Sequence, residues 1–163
     1  DNMTEQYGAL QRLVPTAHGP AAIASFHDQW RGDRLVVDKW FSAQVASARP
    51  GEALTNARKL AKHPNFDWQN PNRLRALLFA LATGNQAAFH QPDGATYVFV
   101  ADWLIRVDQI NPQVAARLSS VFATWRRYDA DRQQMMRAEL SRIAKVPGLS
   151  SNTGEMVGRL LNG

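Results

Sequence analysis

Asn111-Pro112-Gln113-Val114-Ala115-Ala116-Arg117-Leu118 reads as the opening of an amphipathic helix. The asparagine side chain can accept a hydrogen bond from the first free amides. The proline behind it already holds the helical φ and has no N–H to leave unsatisfied. Val114, Leu118, Val121, Phe122 and Trp125 then recur at the three- and four-residue spacing of one helix face. The same start occurs 41 residues earlier, at Asn70-Pro71-Asn72-Arg73-Leu74-Arg75, and leads into Leu74, Leu77, Leu78 and Leu81. Each start is preceded by a further amphipathic segment. A period of about 40 residues built from helix pairs is that of HEAT and armadillo arrays. The chain is therefore expected to be all-α, a HEAT/armadillo-like superhelical array of paired antiparallel helices.

Outward from these two starts the pattern repeats. Met3, Tyr7, Leu10 and Val14 form one stripe, and Val37, Trp40, Phe41 and Val45 another. Val100, Trp103, Leu104 and Val107, then Met136, Leu140 and Ile143, complete a set of about eight or nine helices. Asn2 with Glu5 resembles a capping box, Gly19-Pro20 opens a helix, and Asp33 can cap the segment that holds Trp40. Breaks are expected at Arg49-Pro50-Gly51, His63-Pro64-Asn65, Gln91-Pro92-Asp93-Gly94 and Pro147-Gly148. No low-complexity or linker-like stretch divides the sequence, so residues 1–163 read as a single helical-repeat domain.

Composition narrows the function classes. With 163 residues, 45% hydrophobic and 20% charged, the chain can bury a core large enough to offset the entropy of ordering. Cysteine is absent, which excludes disulfides, thiol nucleophiles and cysteine-ligated metals and suits the reducing cytoplasm. No apolar run approaches the roughly 18 residues of a spanning helix, so no membrane is expected as a partner. The stretch Asp1-Asn2-Met3-Thr4-Glu5 has none of the features of a signal peptide.

A net charge of +5 would suit nucleic acid, but the distribution argues against it. Arg132, Arg137 and Arg142 are five residues apart and fan around their helix instead of forming a stripe. Trp125-Arg126-Arg127-Tyr128 could stack bases. However, Trp125 belongs to the apolar stripe, and the two arginines are expected to close a helix, where positive charge complements the dipole.

No catalytic or metal-ligating set emerges. His18, His27, His63 and His90 are widely spaced, and none has another histidine three to five residues away, the arrangement a helical zinc site needs; they are expected at the surface or at caps. Ser119, Ser120, Ser150 and Ser151 lack a nucleophile elbow, and no glycine-rich phosphate loop is present. Asp38 and Asp102 are the acids expected to be partly buried, in an ion pair or a cap. Arg75 and Arg117 stand apart. Each follows an Asn-Pro start by about a turn, roughly 85–110° from the centre of its apolar stripe. From that edge a guanidinium can reach a carboxylate ligand or make an inter-helix salt bridge.

Several stretches together resemble the C-terminal helical domain of bacterial alanyl aminopeptidase N, a zinc metallopeptidase family of the gluzincin type. They are Leu35-Val36-Val37-Asp38-Lys39-Trp40-Phe41, the two Asn-Pro starts through Arg75 and Leu118, Phe89-His90 with Asp93-Gly94 and Tyr97, and Arg127-Tyr128-Asp129 with Arg132-Gln133 and Met136-Arg137. Residues 42–63 and the tail after Lys145 are assigned by position alone.

The resemblance implies a non-catalytic domain that encloses the active-site cavity of an enzyme removing N-terminal amino acids from peptides. Zinc and the catalytic residues would lie in an upstream catalytic domain of the same polypeptide, with no cofactor in this chain. Arg75 and Arg117, with Gln113, would line the peptide channel and meet the carbonyls or carboxylate of the peptide substrate. The resemblance also implies that the chain begins inside the helical domain, so an exposed apolar edge and self-association are expected at its first helices. The alternative from the residues alone is a free-standing helical-repeat module that binds a protein or nucleic acid.

Overall fold

A computed structural model describes residues 2–163; Asp1, part of the stretch tested for a leader, lies outside them. The secondary structure of the described residues is entirely helical. The α-helices are α1 (Met3–Leu13), α2 (Gly19–Trp30), α3 (Arg34–Ala46), α4 (Ala53–Leu60), α5 (Pro71–Gly84), α6 (Gln86–Phe89), α7 (Ala95–Asp108), α8 (Pro112–Ser119), α9 (Ala130–Ala144) and α10 (Ser151–Asn162). Two single 3-10 turns, Ser120–Phe122 and Trp125–Arg127, extend α8 toward α9. The expected count falls short chiefly because α6 is one turn long, below what apolar periodicity can register.

The predicted starts are made by the predicted atoms. The Asn70 side chain accepts from the amides of Asn72 (2.9 Å) and Arg73 (3.3 Å), with Pro71 behind it. Asn111 accepts from Val114 N at 3.2 Å ahead of α8. Asp33 caps α3 through Leu35 N and Val36 N, and Asn2 caps α1 through Glu5 N. Each bond satisfies a donor that the first helical turn leaves orphaned.

The chain divides into two compact units, residues 1–88 and 89–163. In the first, α3 packs against α1, α2, α4 and α5. Its core is built from Val37, Trp40, Phe41, Leu74, Leu77, Leu78 and Leu81, the stripes that the 3.6-residue period identified. Asn85, beyond the end of α5, donates to the carbonyls of Val45 (2.9 Å) and Ala48 (3.0 Å) and so ties α5 to the end of α3. Large apolar side chains left exposed among the described residues are Leu35, Val98 and Ile110. None of these lies on α1 or α2. The groove between those two helices is lined by Ala9, Leu10, Leu13, Ala22 and Phe26 together with Gln6, Ser25 and Gln29.

In the second unit, α8 packs on α7 and α10, and α9 packs on both of the same helices. Tyr97, Leu104, Leu118, Phe122, Met136, Leu140 and Ile143 are fully enclosed. Gly94 opens α7 at φ 68, in the left-handed region, and a Cβ there would lie 2.4 Å from Met135 Sδ. The left-handed backbone calls for glycine at that turn, whereas the flexible Met135 thioether could move aside.

Candidate functional site

Two arginines two residues apart on α5 have opposite surroundings. Arg73 is buried (8% exposed). Its Nε donates to Asp38 Oδ1 at 2.5 Å, one Nη to the carbonyl of Asn65, and the other to the carbonyl of Arg34 at 3.4 Å. Its guanidinium also lies 5.1 Å from the centre of the Phe41 ring. Asp38 is thus the ion-paired acid expected of it. Arg75, about 200° further around the helix, is half-exposed. It donates to Asn72 Oδ1 at 3.3 Å and makes no ion pair among the described residues. Spacing marks Arg75 and not Arg73, because burial cannot be told from a helix edge until the partner, Asp38, is in place.

In the second unit, Gln113 and Arg117 are exposed on α8. Their i, i+4 spacing puts them on one face, opposite the buried Val114, Ala115 and Leu118. Neither side chain has a protein partner among the described residues. Of the residues expected to line a channel, these two come together on one helix, and Arg75 belongs to the other unit.

The acids and histidines required correction. Asp102 is exposed and pairs with Arg142 at 2.8 Å; the buried acid is Asp108, 5% exposed. It accepts from Ser150 N (2.9 Å), Ser150 Oγ (2.5 Å) and Thr153 Oγ1 (2.6 Å), clamping the start of α10 to the end of α7. Its partners lie more than forty residues away, so local sequence gave no sign of it.

His90 is not a surface residue. It is 8% exposed, stacks on Tyr128 with ring centroids 3.9 Å apart, and shares a 2.5 Å hydrogen bond between Nδ1 and the Tyr97 hydroxyl. Nε2 is buried without a partner. Burial, reinforced by the nearby Arg132 guanidinium, lowers its pKa to about 4, so the fold holds a neutral imidazole. Burial also pushes the Tyr97 phenol up to about 12. In the first unit, His27 and His63 pack around Trp40, with centroid separations of 4.5 and 5.2 Å. The His63 pKa is lowered by burial and, less strongly, by His27 and Arg73.

Arg126 and Arg127 close a short 3-10 turn, as expected, and Arg126 reaches beyond it together with Trp125. Trp125 Nε1 and Arg126 donate to the carbonyl of Leu160, each at 2.9 Å, and Arg126 also to that of Leu161 at 2.5 Å. They satisfy the orphaned acceptors at the end of α10.

Among the described residues no three of His, Asp and Glu converge as a metal site would require. The donors present do not fit a zinc ion, which the aminopeptidase resemblance places in another domain.

The family described as a domain of unknown function (DUF3458_C) with ARM repeats matches residues 1–162. Aminopeptidase N of Caulobacter vibrioides is 44% identical over 98% of the chain, and that of Escherichia coli 38% identical over 99%. The chain spans only 19% of the length of each. These matches include residues 42–63 and the tail, which motifs alone did not reach. The crystal structure of Legionella pneumophila aminopeptidase A in complex with aspartic acid superposes with a TM-score of 0.91 at 33% identity, covering 99% of this chain and 19% of that one. The chain belongs to this armadillo-repeat family and corresponds to the C-terminal part of its aminopeptidase N relatives.

Proposed function

We propose that residues 1–163 act as one non-catalytic C-terminal domain of a zinc-dependent aminopeptidase, enclosing its active-site cavity and contributing Arg75, Gln113 and Arg117 to the path taken by the peptide. The zinc and the residues that cleave the amino-terminal bond belong, in this reading, to a catalytic domain elsewhere in the same polypeptide. The cysteine-free sequence fits a cytoplasmic enzyme.

The observation that carries the reading is the contrast among arginines. Arg73, Arg126, Arg132 and Arg142 are engaged with carboxylates or carbonyls. Arg75 and Arg117 lack carboxylate partners among the described residues; Arg117 is exposed, and Arg75 is partly buried at the edge of the core face of α5. A guanidinium without a carboxylate partner can meet a peptide carbonyl or carboxylate through charge-assisted hydrogen bonds.

Substitution in the full-length enzyme tests this. Arg75→Ala or Arg117→Ala should raise KM for alanyl tripeptides by about fivefold to twentyfold, the loss of one exposed charge-assisted contact. Hydrolysis of an alanyl anilide, which has no distal peptide group, should change far less. Peptide kinetics identical to those of the parent enzyme would reduce both residues to surface charges.

A further inference from the structure

We propose that Arg31 and Arg34 form a second anion-recognition site, which binds a carboxylate carried further along the peptide substrate. This rests on the reading above that Arg75 faces that substrate.

Two adjoining hollows of about 260 and 330 Å³ open on the first unit and share Arg34, Asn70 and Arg73 as walls. The charges at their floor are already spent. Arg73 is consumed by Asp38 and two carbonyls, and the amides at the starts of α3 and α5 are taken by Asp33 and Asn70. On the rim, Arg31 and Arg34 are exposed and make no ion pair among the described residues. Asp67 lines the first hollow as well, yet no ion pair joins it to either arginine. Asp38 is paired with Arg73 and Asp33 is held by the amides of α3, so Arg31 and Arg34 balance Asp33 and Asp67 in number, and what the hollow offers is two guanidiniums without an ion-pair partner among the described residues.

Helix stability does not account for Arg34. It is the first residue of α3, where a cation sits against the positive end of the helix dipole. Arg31, at the end of α2, is brought to the same rim by the short Gly32-Asp33 turn. Beside them Leu35 is 70% exposed, a small apolar surface next to the charges. Asn72 lines the second hollow and also accepts a hydrogen bond from Arg75. The second hollow thus runs between Asn72, the partner of Arg75, and Arg34, which the first hollow shares together with Arg31. A peptide held at Arg75 and extending along this hollow would present its C-terminal carboxylate or an acidic side chain to paired guanidiniums, which bind carboxylates in bidentate geometry.

The test uses the full-length enzyme and a matched set of alanyl peptides: one with a free C-terminus, the same peptide C-terminally amidated, and the amidated peptide with one glutamate near its end. The quantity read is the ratio of kcat/KM for each carboxylate-bearing peptide to that for the neutral amidated one. In the double variant Arg31→Ala/Arg34→Ala this ratio should fall by about threefold to tenfold, and Arg31→Lys/Arg34→Lys should restore part of it, since lysine keeps the charge but loses the fork. The ratio should also shrink with rising salt in the parent enzyme. Whether the free-terminus or the glutamate peptide responds identifies which carboxylate is bound. A ratio unchanged in both variants for both peptides overturns the site. If Arg75→Ala and Arg117→Ala alter peptide kinetics while that ratio stays fixed, only this site fails; if all four residues are silent, the channel reading fails with it.

Discussion

Arg73→Ala should destabilise the first unit by about 3–5 kcal/mol, the range for removing one partner of a buried ion pair. The loss has three parts. Asp38, with its side chain 21% exposed, keeps a largely desolvated charge without its cation. The carbonyls of Asn65 and Arg34 lose their donors, and the Phe41 ring loses the guanidinium above it. Lysine should not rescue, because a single ammonium cannot serve an acid on α3 and carbonyls of two separate segments at once. Urea denaturation of Arg73→Ala, Asp38→Ala and the double variant checks this. The double variant should cost clearly less than the sum of the singles. A single-variant cost below about 1 kcal/mol would assign the pair to the class of exposed ion pairs.

Asp108→Ala should cost the second unit about 2–4 kcal/mol, since it strands a buried hydroxyl and unties the α10 cap. Three donors converge on this carboxylate, and Thr153 is fully buried, so water cannot replace the lost acceptor without parting the end of α7 from the start of α10. Ser150 caps α10 through Thr153 N at 3.2 Å, and its own position depends on Asp108. Hydrogen exchange should therefore show faster opening at α10 than at α7 in the variant. Equal protection in the two helices, with unaltered stability, would mean that the clamp contributes nothing to the fold.

These two hubs mark where the sequence stopped being readable. Helix starts at Asn70 and Asn111 were legible because capping is local: donor and acceptor lie within three residues. The core stripes on α3, α5, α7 and α9 were legible because period 3.6 is a property of one segment. The family could be reached because its motifs are short runs such as Leu35–Phe41. Arg73–Asp38 and Asp108–Ser150–Thr153 join residues 35 to 45 positions apart, and nothing in either partner's neighbourhood announces the other. His90 was misplaced for a related reason. Its loop position beside Gln91-Pro92 suggested the surface, while Tyr97 and Tyr128, which enclose it, come from α7 and from the turn before α9. Of the proposed channel residues, Arg117 was marked by its place at the edge of an apolar stripe and Gln113 by the resemblance alone; their freedom from protein partners required the fold.

The central claim is that this chain shapes a substrate path for chemistry carried out elsewhere in the polypeptide. The most direct measurement compares residues 1–163, shown by circular dichroism to be helical, with the full-length enzyme for bound zinc and for release of alanine from alanyl peptides. The account predicts stoichiometric zinc and turnover in the full-length enzyme and neither in the folded fragment. Chelator-sensitive release of alanine by residues 1–163 alone would contradict it.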